Sequence, residues 1–296
     1  MKDGESRHAL IYALLGFMIL LWSANFIFVK IVVLRMPVLM VACIRTTFAG
    51  LLMAPVFLWD LRRGAKPVSW DEVPRLLAMG VVGLALNQIF FTLGVSRTSI
   101  AHAAVLMALT PLVVLLFVSV RGHEKLSVVR LAGVFIALGG VCLLQVTSSR
   151  SAGASIIGDL FVFAAGLSWA FYTVMSKQLT RTRDAVSVTA LSYMIAAIGL
   201  APVSIWQVSQ NGFGAVSPTL WAVLIYMAVL PSVVGSLIYY YALTHMPASR
   251  VTSFLYLQPL LATLLAIPVL GEHVTGALLG GGAMVLAGVS LTERRA

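Results

Sequence analysis

Residues 21–30 read LWSANFIFVK, an apolar run with Trp22 and Asn25 inside it and Lys30 at its end. Residues 168–177 read SWAFYTVMSK and keep the same spacing: Trp169 precedes Lys177 by eight residues, as Trp22 precedes Lys30. Hydrocarbon offers an amide nothing to bond, so Asn25 needs either a polar neighbour or a wet cavity. A pattern that returns after half the chain also points to a duplication.

The run sits in a chain that is apolar throughout. Of its 296 residues 60% are hydrophobic and only 10% charged, and the mean hydropathy is +1.00. A soluble domain carries roughly a quarter charged residues, so there is too little polar surface here to cover a globule. Apolar stretches long enough to cross a hydrocarbon core of ~30 Å recur along the whole length. They are continuous rather than alternating, which predicts an all-α membrane protein and argues against a β-barrel. The net charge of +10 comes from short basic clusters between the apolar runs, a topology signal rather than a nucleic-acid surface. Cys43 and Cys142 lie inside apolar stretches and form no disulfide framework. The start, MKDGESRHALIYALLG, lacks a small-residue cleavage site, so the first span is expected to be retained.

Ten transmembrane spans are expected at about 10–30, 37–59, 75–95, 99–119, 126–147, 157–178, 186–207, 219–243, 248–269 and 273–292. The connections are short, TSIA and MPASR among them, and the longest small-residue linker is SSRSAGASI at 148–156. With a cytoplasmic N-terminus, fifteen of the 20 Lys and Arg residues fall in inner segments and four in outer ones, Arg45 being inside a span. That bias predicts both termini on the cytoplasmic side of the cell (inner) membrane.

Shifting the sequence by 148 aligns residues 109–143 with 257–291 without a gap, and 11 of the 35 positions are identical. Pro111/Pro259, Glu124/Glu272, Gly133/Gly281 and Gly140/Gly288 are among them. The expected units are therefore 1–148 and 149–296. Each holds five spans, an odd number, so the second half should enter the membrane inverted. Inverted repeats are a structural basis for alternating access, with the site between the halves near the midplane.

LWSANFIFVK, the RTTFAGLLMAP run starting at Arg45, LTPLVVLL, LQPLLATLL, the two loop glutamates and the glycine-rich fifth and tenth spans together resemble the drug/metabolite transporter superfamily, EamA type. Within it the chain is most similar to YddG-like amino-acid exporters. The resemblance implies ten helices as two inverted five-helix repeats, and a central cavity lined by spans 1, 3, 4, 6, 8 and 9. Spans 5 and 10 pack behind it. The implied activity is export of small amphipathic metabolites, neutral and aromatic amino acids above all.

Helical spacing supplies the candidate lining. Trp22, Asn25, Phe26 and Val29 share one face of span 1, and Trp169, Tyr172, Thr173 and Ser176 share one face of span 6. Adjacent amides Asn87 and Gln88, with Phe91 and Thr92, are costly in lipid unless they face a cavity or another helix. The matching part of span 8 offers Ser236 and Tyr239, while Tyr240 and Tyr241 read better as interfacial tyrosines. Pro111 and Pro259 each free the carbonyl four residues earlier, Met107 and Leu255, and are candidate hinges. Tyr256 and Gln258 flank the second, and Met107 supplies an adaptable contact. The candidate substrate-binding set is thus Trp22, Asn25, Asn87, Gln88, Phe91, Met107, Trp169, Tyr172, Ser236, Tyr239, Tyr256 and Gln258. Packing against a neighbouring helix remains the competing reading for each. The glycines read as close helix contacts, Lys30 and Lys177 as snorkelling lysines, and Arg45 as an ion-pair or outer-gate residue.

HExxH, CxxC, P-loop and GxGxxG signatures are missing, so no cofactor or metal is expected. No Asp, Glu or His falls in the middle third of any expected span, which counts against an intramembrane hydrolase and against proton coupling. Facilitated diffusion of a small-molecule substrate is therefore expected. The expected partners are that substrate and the lipid bilayer, without nucleic acid, in a monomer or weak dimer. Two further readings stay open: an exporter of other metabolites or drugs, and a membrane-embedded enzyme using the same cavity.

Overall fold

The structure, a computed structural model, describes residues 2–64, 67–98, 100–120, 127–146, 155–179, 182–212, 216–270 and 276–293. These residues are all helix and connection, with no strand among them. That is what lipid requires, because a helix satisfies its own backbone where no water can. The helical rods are α1 (Lys2–Val33), α2 (Val38–Arg62), α3 (Val73–Arg97), α4 (Ile100–Met107 and Thr110–Val120), α5 (Val128–Val146), α6 (Ile156–Leu179) and α7 (Ala185–Asn211). They continue with α8 (Pro218–His245), α9 (Ala248–Ser253, a 3-10 turn Phe254–Tyr256, then Leu257–Leu270) and α10 (Gly276–Glu293). Each coincides with an expected span to within a few residues, except that α1 begins well before its apolar stretch.

Six rods, α1 from His8, α2, α3, α6, α7 and α8, are long and apolar enough to cross a membrane. Their outward faces carry large bare hydrophobics such as Leu51, Leu160, Ile198 and Ile205, a belt suited to lipid and wrong for water. The chain is a multi-pass membrane protein.

Local chemistry sets the helix ends. Asp184 caps α7 by accepting from the Ser187 N–H at 2.8 Å, and α7 stops at Gly212, whose φ of 59° suits a residue without Cβ. Ser217 caps α8 ahead of Pro218 at its first turn. At the other end of α3, the Lys30 ammonium donates to the carbonyls of Val95 (2.9 Å) and Thr98 (3.0 Å). Lys177 does the same at the end of α8, to Leu243 and Met246. Both lysines therefore reach beyond snorkelling: each satisfies carbonyls that a helix end leaves open.

Three close seams hold the rods together, each running antiparallel. Gly50 of α2 lies against Tyr193 and Ala197 of α7, while Ser187 donates to Asp60 at 2.6 Å. Gly83 and Gly94 of α3 receive Tyr172 and Val162 of α6. Gly133 and Gly140 of α5 lie against Gly288 and Gly281 of α10, so close that a Cβ on Gly140 would stand 2.6 Å from the Gly281 carbonyl. Small residues let lipid-embedded backbones approach in this way. Of the glycines read as packing glycines, Gly133, Gly140, Gly281 and Gly288 sit in the last of these seams, Gly280 makes an ordinary contact with Leu143, and Gly276 has open space around it.

Helix interruptions mark the middle. α4 breaks at Ala108 and Leu109, where the Leu109 N–H turns back to Leu106 at 3.1 Å, and α9 tightens to a 3-10 turn at Phe254–Tyr256. Both breaks lie just ahead of Pro111 and Pro259, at the carbonyls those prolines free. Two further irregularities had no expectation in the sequence. α3 widens to a π-turn over Met79–Ala85 and α8 over Ala228–Val234. Such turns gather at functional sites.

Candidate central cavity

The interrupted helices, with α1, α2, α6 and α7, line a partly open cavity of about 70 Å3. Its wall takes Trp22, Asn25 and Phe26 from α1, Arg45 from α2, and Asn87, Gln88 and Phe91 from α3. Met107 (α4), Trp169 (α6), Tyr193 (α7), Pro231 and Ser236 (α8), and Leu255 and Gln258 (α9) complete it. Nine of the twelve candidate residues are thus brought together: Trp22, Asn25, Asn87, Gln88, Phe91, Met107, Trp169, Ser236 and Gln258.

Tyr172, Tyr239 and Tyr256 stand behind the wall, each fully buried. Tyr172 rests on Gly83 and under Trp169, with ring centroids 5.1 Å apart. Tyr239 packs 5.3 Å from Trp169 and bonds the Thr173 hydroxyl at 2.7 Å. Tyr256 joins the cluster between α5 and α10. Tyr240 corrects the interfacial reading. It is fully buried and meets Tyr172 edge to face at 5.5 Å, because Gly83 leaves the depth in which two tyrosines fit. Tyr241 is only partly buried.

The aromatic wall is tightly ordered. Trp22 and Trp169, the pair from the two opening motifs, meet edge to face at 5.2 Å, and Phe26 meets Phe91 at 5.2 Å. The Trp22 indole donates to the Pro231 carbonyl at 2.7 Å, a group in the α8 π-turn.

The polar groups fall into two kinds. Asn87 donates to the Ala165 carbonyl at 2.8 Å, and Ser236 and Tyr193 bond each other at 2.9 Å. These are spent inside the protein. The Asn25 Oδ1 and Gln88 Oε1 atoms are buried without any hydrogen-bond partner among the described residues. An unpaired buried acceptor costs ~1–3 kcal/mol.

Arg45 is 5% exposed. Its Nε donates to Ser232 Oγ at 2.8 Å, and Ser232 in turn donates to the Met227 carbonyl at 2.9 Å. Tyr193 lines the same cavity, and no carboxylate pairs with the guanidinium among the described residues. The ion-pair expectation for Arg45 is therefore not met. Tyr193 and Pro231 escaped the sequence reading: a tyrosine breaks no pattern, and Pro231, although inside a span, has no proline counterpart at the repeat offset, where Gly83 stands. Arg45 did carry a signal: a charge inside a span is a functional candidate by default.

A charged latch lies away from the cavity, where α2 ends and α3 begins. Arg183 donates to both Glu72 oxygens, at 2.6 Å and 3.1 Å for the shortest contact with each, and to the Pro67 carbonyl at 2.7 Å. The guanidinium holds the Glu72 carboxyl well below its ordinary range, at about 2. Nothing in the sequence pattern linked these residues. Glu124 and Glu272 of the repeat lie outside the described residues.

A bundle of lipid-facing helices around a small, aromatic, partly polar cavity defines a membrane protein built to handle a small solute. The pattern of the EamA-like transporter family matches the chain twice, over residues 8–146 and 156–294, so the chain belongs to that family. It is 31% identical over 287 residues to an uncharacterised transporter of Archaeoglobus fulgidus, covering 96% of this chain and 97% of that one. It is also similar, at 25% identity over 78% of this chain and 77% of the other, to a protein of Streptantibioticus cattleyicolor described as a probable terminal-alkyne amino-acid exporter. A crystal structure at 19% identity superposes with a TM-score of 0.76 over 96% of both chains, which supports the fold alone.

Proposed function

We propose that this transporter works by alternating access, exporting neutral and aromatic amino acids down their own gradient. The observation that carries the reading is the cavity wall, where indole and phenyl faces stand beside amide oxygens that the protein leaves unbonded. Such a wall suits a solute with one apolar and one polar part. The similarity to an amino-acid exporter supports the same substrate class.

The architecture supports the mechanism. The family pattern falls twice on the chain, and the rods α2/α7 and α5/α10, which correspond in the two halves, meet antiparallel, as two inverted five-span halves would. The cavity of about 70 Å3 is well below the ~300–1,000 Å3 of ordinary ligand pockets, so binding requires the halves to part. The breaks ahead of Pro111 and Pro259 are where α4 and α9 bend. A zwitterion has no net charge, so its passage is nearly indifferent to a potential worth ~2.3 kcal/mol per charge per 100 mV.

Purified protein in liposomes, given radiolabelled amino acids, amines and sugars in pairwise competition, tests this reading. Saturable amino-acid uptake that stops at equal concentrations is expected. Transport confined to sugars overturns the substrate class, and accumulation abolished by an uncoupler overturns the gradient-driven mechanism. Single cysteines at Trp70 and Asn211, without Cys43 and Cys142, test the orientation. They should react with impermeant reagents from opposite sides, Trp70→Cys from the cytoplasm.

A further inference from the structure

Resting on that reading, we infer that Arg45, Asn25 and Gln88 form the head-group site, recognising a free α-amino acid by its carboxylate and its ammonium together. The three come from different helices, each is 5% exposed, and all line the same cavity of about 70 Å3.

A guanidinium has five N–H donors in a rigid fork. Arg45 gives one of them, on Nε, to Ser232. Its other donors make no hydrogen bond or ion pair with the described residues, although the side chain borders the cavity. A buried cation left this way is unfavourable by several kcal/mol, and a fold under no other demand would place an apolar residue or a carboxylate partner there. The one proton of the Ser232 hydroxyl is spent on Met227 while its oxygen accepts from Arg45. What the site lacks is an anion with two parallel acceptors, and a carboxylate has that shape.

The unbonded acceptors complement this. Asn25 and Gln88 both line the cavity, and their buried oxygens find no partner among the described residues; an ammonium, with three donors and no acceptor, satisfies both. Each half of the ligand needs the other. A bare amine entering this cavity meets the Arg45 charge without its own carboxylate and is repelled. A bare carboxylate pairs with Arg45 but leaves two acceptors unpaired, which a buried polar site penalises heavily. Only the zwitterion answers all three groups and stays neutral. Trp22, Trp169, Phe26 and Phe91 then face the side chain, where discrimination between apolar groups is weaker.

The test uses the full chain in proteoliposomes with phenylalanine, phenethylamine and 3-phenylpropionate, which share a phenyl group and differ in the head. Wild type should favour phenylalanine over either analogue by at least ~tenfold. Arg45→Gln should erase the advantage over phenethylamine. Asn25→Leu with Gln88→Leu should instead erase the advantage over 3-phenylpropionate. This crossed pattern is one that a general loss of packing does not produce. Arg45→Gln protein that elutes as a single species and keeps the wild-type ratios overturns the inference. Should that variant not fold, unchanged ratios in the Asn25/Gln88 variant overturn it equally. Wild-type uptake of phenylalanine and phenethylamine at equal rates removes the head-group site while leaving export intact. Wild-type uptake of none of the three removes the amino-acid reading itself.

Discussion

The α1–α3 and α6–α8 sides of the cavity descend from matching stretches of sequence, yet they do opposite things. On the first side the Asn25 and Gln88 oxygens stay unbonded at the wall, whereas among the described wall residues of the second side only the Trp169 indole N–H does. On the second, Tyr172 occupies the position matching Asn25, and Tyr239 the position matching Phe91. Their rings and the Thr173–Tyr239 bond fill the space. Only Trp169, Pro231 and Ser236 of α6 and α8 still reach the cavity. Duplication provided two faces with one geometry. Substitution left one open to solute and turned most of the other into packing that holds the Trp22–Trp169 pair in place. On the proposed reading, recognition of polar groups falls chiefly to the first half, Arg45 included.

The sharpest way to break this contrast is Gln88→Leu. Transport of phenylalanine should fall by ~100-fold, because a site built to hydrogen-bond tolerates such a loss poorly. Thermal stability in detergent should hold or rise by ~1 kcal/mol, since an unpaired buried acceptor disappears. Falling stability would place Gln88 in the packing instead. Thr173→Val is the mirror experiment. It strands the Tyr239 hydroxyl, so denaturation should show a loss of ~2 kcal/mol, with substrate preferences unchanged. Altered preferences would extend the recognition surface into the second half.

The contrast is confined to the middle, because the lysine caps at the helix ends remain alike. Lys30→Met and Lys177→Met should each cost ~1.5 kcal/mol, the scale of a charge-assisted bond, and a marked inequality would show that the symmetry of the ends is superficial. The Glu72–Arg183 latch carries the smallest effect. A carboxyl held down at about 2 adds stability in full above its unfolded value and loses it as pH falls from ~4.5 toward 2. Partial exposure limits this to roughly half a kcal/mol. Melting curves of wild type and Glu72→Gln should converge across that window, and parallel curves would mean that the pair contributes nothing.

Apolar runs fix rods in lipid, so nearly all the helix positions could be read from the sequence. So could the polar face of α1 and the breaks near Pro111 and Pro259, since an amide or a proline in a span needs a reason. The side chains of α6 and α8 resisted. Spacing puts Tyr172 and Tyr239 on faces resembling those of Asn25 and Phe91, but cannot show that Gly83 lets Tyr172 sink behind the wall. The π-turns were invisible too, because each slips a register that spacing assumes constant. Arg45 was legible as an anomaly, while its partner Ser232 lies 187 residues away and only folding brings them together.

Alternating access requires one cavity to be reached in turn from the two sides of the membrane. A cysteine at Ser236, in a background without Cys43 and Cys142, measures it directly through modification by impermeant thiol reagents applied to either side. Labelling from both sides in turn is expected, with phenylalanine slowing both reactions and its gradient shifting their ratio. Labelling from one side only, whatever the gradient, would contradict it.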